Sequence, residues 1–172
     1  MSKKSLNAIS PIDGRYSSKT ENLSNFFSEK ALIKYRVLVE IEYFISLTEV
    51  EIPGLSNWKS SDNKLIKNIY EKFSDDDAIE IKKIEKTTNH DVKAVEYFLK
   101  EKFIDLGFEN YSEYIHFGLT SQDVNNTAIP LSIKDFLPSY FLIIEDLINE
   151  LSIKVKEYNS IAMLARDRKS VV

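Results

Sequence analysis

The sequence predicts an all-α protein, and three observations carry that reading. Apolar residues recur at helical spacing through every long segment, from Leu32 to Leu151. No stretch shows the strict alternation of a half-buried strand. Glycine and proline, four each in 172 residues, are too few for a sandwich, a barrel or a low-complexity linker.

Each helix can be justified in turn. Residues Leu6 to Tyr16 carry Pro and Gly punctuation without helical period and read as a loop. Ser28 can cap a long helix reaching about Leu47. Leu32, Tyr35, Val39 and Tyr43 line one of its faces, while Ile33, Val37, Ile41 and Phe44 line another. A helix apolar on two faces is buried between neighbours or across a subunit contact. Glu51-Ile52-Pro53-Gly54 breaks the pattern. Ser61-Asp62 is expected to cap a helix carrying Leu65, Ile69 and Phe73, and Ser74 another carrying Ala78, Ile81 and Ile84. The run Asp75-Asp76-Asp77 suits the positive end of that helix better than a metal, because adjacent helical side chains point different ways.

The stretch Thr87-Thr88-Asn89-His90-Asp91-Val92-Lys93-Ala94-Val95-Glu96 gathers hydroxyls, an amide, an imidazole, carboxylates and an ammonium. Val92, Val95 and Leu99 follow at helical spacing, so the cluster opens a helix running to about Phe103, and Gly107 falls in the next loop. Such a start offers unpaired N–H groups and a positive dipole end to an anionic ligand. His116 has apolar neighbours and reads as a packed, hydrogen-bonded histidine. Thr120 and Asp123 form a capping-box pattern at the next helix start. Pro130 is expected to kink or interrupt that helix. Pro138 is expected to restart one reaching about Tyr158, striped by Phe141, Ile144, Leu147, Ile148 and Leu151.

Composition narrows the function. Hydrophobic residues at 43% and charged residues at 29% fit a soluble globular protein, and the net charge of −4 gives no electrostatic case for nucleic acid. The absence of cysteine removes disulfides and thiolate metal sites, and two histidines alone argue against a His-based zinc site, so no metal or cofactor is expected. No apolar run approaches the roughly 20 residues that span a bilayer. Met1 to Ser5 lacks the apolar core of a signal. A cytoplasmic protein without a membrane partner is expected. No Ser has a visible base and third partner for nucleophilic catalysis, and no glycine-rich phosphate loop is present.

Three polar turns remain: Arg15-Tyr16, Thr88 to Lys93, and Thr120 to Asn125. Arg15 is one of only four arginines among 23 basic residues, and a guanidinium beside a phenol after a Gly can fork onto phosphate or carboxylate. Together the turns suit a ligand bearing several negative charges.

Ser10 to Tyr16, Lys86 to Tyr97 and His116 to Asn126 resemble the adenylosuccinate lyase family of the fumarase/aspartase superfamily, in order and in similar positions from about Leu6 to Arg166. The resemblance implies a small helical N-terminal domain at 1–118, then the beginning of a central long-helix bundle at 119–166. It implies β-elimination: adenylosuccinate to AMP and fumarate, and SAICAR to AICAR and fumarate, in a cytoplasmic homotetramer. By resemblance, Arg15 and Tyr16 hold the nucleotide phosphate. Asn89, His90 and Asp91 line the substrate, with His90 in a supporting catalytic role. Thr120 and Ser121 hold a succinyl carboxylate. Lys93, Glu96, Asp123 and Asn125 stand behind them, Lys93 and Glu96 tuning the charge around His90.

The resemblance also stops. After Arg166 the family continues Thr-His-Gly-Gln-Pro-Ala, whose histidine is its acid, whereas this sequence reads Asp167-Arg168-Lys169-Ser170-Val171-Val172 with Arg168 at that position. The family's serine base has no counterpart in these 172 residues. The expectation is that 167–172 is a non-native tail and that this N-terminal fragment by itself is inactive. The alternative is a non-catalytic helical protein that binds nucleotide or caps an assembly.

Overall fold

A computed structural model describes residues 7–50 and 52–163. The expectations for Leu6 and for 164–172 lie outside the described residues. Among the described residues there are seven α-helices and no strand: α1 Ser17–Thr20, α2 Ser24–Phe27, α3 Glu29–Thr48, α4 Asn63–Glu71, α5 Asp75–Thr88, α6 Asp91–Asp105 and α7 Ser121–Tyr158. By its contacts the chain divides into two units, Met1–Asp135 and Phe136–Val172.

In the first unit α3 is the axis. Ser28 caps it, its hydroxyl accepting from the Ala31 N–H at 3.1 Å. Ile33, Val37, Ile41 and Phe44 enter the main core with Ile66, Ile81, Val95, Phe98, Leu99 and Phe103. Tyr35 and Val39, on the other face, pack with Val92, Val124 and Ala128. The two apolar faces therefore each have a neighbour within the chain. An aromatic cluster closes the main core: the Phe44 and Phe103 rings lie 5.0 and 6.4 Å from the Trp58 ring, and Phe108 and Tyr111 lie 4.9 and 5.1 Å from it. Such pairs contribute beyond their buried area.

Helix ends follow local chemistry. Ser74 and Asp77 form a complete capping box at α5, so the acidic run there serves the helix start. α6 ends at a left-handed Gly107 (φ 81°): the Phe108 N–H reaches the Phe103 carbonyl at 2.7 Å and the Gly107 N–H reaches that of Ile104 at 2.9 Å. These are the two bonds of a Schellman ending, which a side chain at Gly107 would strain.

Several expectations are corrected. Ser61 and Asp62 do not cap α4; they belong to a 3-10 turn, and the Ser61 hydroxyl donates to Asp62 instead. Leu65 is exposed and Ile66 is the buried residue, because Ile66 shares the inner face with Ile69 and Tyr70, three and four residues on; Phe73 lies beyond the helix but stays buried. Neither Pro130 nor Pro138 interrupts α7, which is helical throughout. Each proline removes one backbone donor. The carbonyls thus freed, of Asn126 and Lys134, belong to exposed residues that water can reach.

The second unit is described through the C-terminal half of α7. Leu142, Ile143, Leu147, Ile148, Leu151 and Val155 are each more than half exposed. By length and composition alone α7 is long and apolar enough to cross a membrane. That corrects the expectation that no run approaches such a length. A core helix of a soluble protein passes the same test.

Candidate functional site

The candidate site forms where three helices meet: the junction of α5 and α6, the start of α7, and the middle of α3. Asn89 ends α5 in the left-handed conformation (φ 52°), and its N–H bonds the Glu85 carbonyl at 2.7 Å. Asparagine tolerates that conformation better than most residues. The chain then turns extended at His90, which is itself the cap of α6.

His90 caps with its ring. Nδ1 accepts the Lys93 N–H at 3.1 Å, a role usually taken by a side-chain oxygen. With Nδ1 accepting, the neutral ring carries its proton on Nε2. Nε2 lies 3.3 Å from the Ser121 hydroxyl on the first turn of α7. The cap on one helix thereby aims the imidazole at the start of another.

Asp91 follows. Its Oδ1 accepts the Val92 N–H at 2.8 Å and its Oδ2 takes a 2.6 Å bond from Arg36 Nη2. Partial burial pushes the Asp91 carboxyl up, but the Val92 N–H and the Arg36 guanidinium outweigh it and hold it below the usual carboxylate range. Arg36, only 5% exposed, also donates from Nε to Asn125 Oδ1 at 2.8 Å. One guanidinium thus ties α3 to the starts of α6 and α7.

Thr120 is held by Asp123, whose Oδ2 accepts both the Thr120 N–H and its hydroxyl at 2.7 Å. Those bonds lower the Asp123 carboxyl's pKa. The next two N–H groups, of Ser121 and Gln122, have no acceptor among the described residues. They point out of a 38-residue helix start beside His90, an arrangement that favours an anion.

Lys93 and Glu96 are placed differently from one another. Lys93 reaches His90 through its backbone N–H, while its ammonium pairs with Glu96 at 2.8 Å. Glu96 is 5% exposed and also faces Lys100 at 3.4 Å. Asn89, His90, Asp91 and Arg36 line an open cavity of about 430 Å³ with Leu32, Glu29 and Glu85. Lys82 bridges the two glutamates, at 2.6 Å to Glu85 and 3.1 Å to Glu29, and they raise its pKa. A larger cavity of about 550 Å³, around Ser24, Ser28 and Asp135, has none of these residues in its wall.

Arg15 and Tyr16 pair with each other: the guanidinium donates to the phenol at 2.7 Å and lies 4.5 Å from the ring centroid. Both are exposed. Among the described residues no hydrogen bond or ion pair joins them to the cluster around His90. His116 is packed and hydrogen-bonded, its Nδ1 2.5 Å from Glu40.

Sequence reasoning missed Arg36 and Glu40. The signal was present: two charges four residues apart inside a helix apolar on two faces must be buried, and buried charges need partners.

A family model for lyases matches residues 14–168. The chain belongs to that lyase family. Over 167 residues the chain is 52% identical to adenylosuccinate lyase of Dictyostelium discoideum and 43% identical to that of Legionella pneumophila strain Corby. It is 43% identical over 164 residues to the enzyme of the same name from Vibrio cholerae. Each match takes in 94% of this chain and 36% of the relative, so the chain spans about a third of the length of the curated relatives it matches. The matched words include all three polar turns, which lie within 14–168.

Proposed function

We propose that these residues form the N-terminal portion of an adenylosuccinate lyase, a carbon–nitrogen lyase of purine nucleotide synthesis. The whole enzyme cleaves adenylosuccinate to AMP and fumarate, and SAICAR to AICAR and fumarate. Residues 119–166 begin its central bundle domain, and the complete protein assembles as a cytoplasmic homotetramer. The observation that carries the reading is the approach of His90 Nε2 to Ser121 Oγ beside two uncapped N–H groups, in a chain 40–52% identical to enzymes of that name.

In β-elimination a base removes a proton beside a carboxylate while an acid protonates the departing nitrogen, and negative charge gathers on that carboxylate. Donors fixed beforehand on the carboxylate stabilise the transition state more than the ground state. The Ser121 hydroxyl and the first N–H groups of α7 are donors of this kind, and Thr120, whose own N–H and hydroxyl are taken by Asp123, fixes the turn that presents them. His90 Nε2–H adds another, its ring held by the cap on α6. Asn89 and Asp91 line the substrate next to it, with Asp91 fixed as a carboxylate by Arg36, and Arg15 and Tyr16 take the nucleotide phosphate. Among the described residues no acid–base pair for the two proton transfers is assembled, and in this reading His90 supports them rather than performing them.

Two assays test this. The purified 172-residue chain is expected to leave adenylosuccinate intact. A chimera in which residues 7–163 replace the matched portion of the Dictyostelium discoideum enzyme is expected to release fumarate from adenylosuccinate. A folded, tetrameric chimera without turnover contradicts the proposal. If the 172-residue chain then binds AMP in calorimetry, a nucleotide-binding module becomes the better reading.

A further inference from the structure

Glu40 sits one turn after Arg36 on α3 and is 1% exposed, more deeply buried than Arg36 or Glu96. One oxygen bonds His116 Nδ1, and the other has no hydrogen-bond partner among the described residues. Burial pushes the carboxyl's pKa up, His116 pulls it back and nearby Glu96 adds to the rise, which prevails. An interior carboxyl this poorly satisfied lowers stability, and a role beyond stability accounts for its place there. The reaction chemistry above makes no use of it.

Its partner lies in the loop that feeds the site. His116 is left-handed (φ 61°), a conformation that strains a residue with a side chain. Tyr43, three residues after Glu40, donates its hydroxyl to the Phe117 carbonyl at 3.0 Å, and Gly118 is left-handed again (φ 72°). α3 therefore grips this loop at two successive points. Two residues beyond Gly118, Thr120 starts the capping turn that presents Ser121 to His90.

We propose that Glu40 is a positioning residue: through His116 it holds the loop from His116 to Leu119 in the conformation that delivers the Ser121 hydroxyl to His90 Nε2. The importance of that delivery rests on the proposed function, whereas the mechanical link does not. Glu40 and His90 share no direct contact, so the link runs through the loop.

With only two histidines, the chain gives one imidazole signal pair for each in histidine-selective ¹⁵N NMR. The 172-residue chain carrying Ser121→Ala supplies the reference for a His90 Nε2 without its hydroxyl partner. Glu40→Leu is expected to move the His90 Nε2 resonance most of the way to that reference and to shift the Ser121 amide. Glu40→Gln, which keeps an acceptor oxygen of the same reach, is expected to stay near the native positions. His116→Gly accepts the left-handed backbone yet loses the ring, and is expected to reproduce Glu40→Leu; it decides alone if Glu40→Leu fails to fold by circular dichroism. Unmoved His90 and Ser121 signals in the folded variants overturn the proposal, as does a Gln variant displaced as far as the Leu variant. Turnover is not read, so failure of the lyase assignment leaves this result standing.

Discussion

His90 and Ser121, 31 residues apart in sequence, meet at 3.3 Å because each stands at the start of its own helix. The contact depends on His90 spending its other ring nitrogen on the Lys93 N–H. Capping and ligand positioning are therefore one arrangement, and a change that loosens the cap loosens the site.

That coupling predicts a double effect for His90→Ala. Loss of an N-cap lowers stability by about 1 kcal/mol. Asn at the same position is expected to restore most of that stability, because it caps well, without restoring the donor aimed at Ser121. Urea unfolding of the three chains checks the ranking native, Asn, Ala.

Arg36 joins three helices, and its removal is expected to be severe. Arg36→Ala should lose about 2–3 kcal/mol: charged hydrogen bonds are broken inside the protein, but the half-exposed Asp91 can be rehydrated. Arg36→Lys should recover only part of it, since an ammonium cannot serve Asp91 and Asn125 in a fixed fork. Denaturant midpoints of both variants give the comparison.

Acid sensitivity follows from Asp91. Its folded pKa lies below the unfolded value of about 3.9, so its contribution is fully present above that pH and is lost as pH falls through the folded value. Glu40 acts oppositely: its folded pKa is raised, so the stability linked to its protonation is present below the unfolded value of about 4.3 and fades as pH rises. Asp91→Asn should flatten the acid limb of a stability–pH curve, and Glu40→Gln should raise stability most at neutral pH. Urea midpoints between pH 3 and 8, a range set by roughly the ordinary carboxylate values, read both slopes.

The prolines of α7 give a simpler test. Pro130 sits inside a continuous helix, where a proline lowers stability by about 3 kcal/mol relative to alanine in an unconstrained host. Pro130→Ala is expected to raise stability by about 1–3 kcal/mol, with the melting temperature as the readout. No change would mean that the helix already relaxes around the ring.

Much of the fold was legible because its signals are local. The two faces of α3, the Ser74–Asp77 box and the Thr120–Asp123 box are decided by neighbours within a turn or two, and the sequence displays them. The prolines misled because a proline's rule is also local, whereas the exposed carbonyls of Asn126 and Lys134 let water take up what the ring removes. The run of α7 was underestimated for the same reason: divided at Pro138, its apolar stretch looks short. Residues of the site at helix starts could be picked out by type. Arg36 could not be assigned to Asp91 and Asn125, because those partners lie 55 and 89 residues away.

The chimera offers the most direct test of the central claim, that His90 and Ser121 hold the substrate's reacting end. Its kcat/KM for adenylosuccinate would be compared with those of chimeras carrying His90→Ala and Ser121→Ala. Loss of one preorganised donor to a developing anion predicts a fall on the order of 10²-fold in each, carried mainly by kcat. Folded tetramers with both substitutions and undiminished kcat/KM would contradict the account.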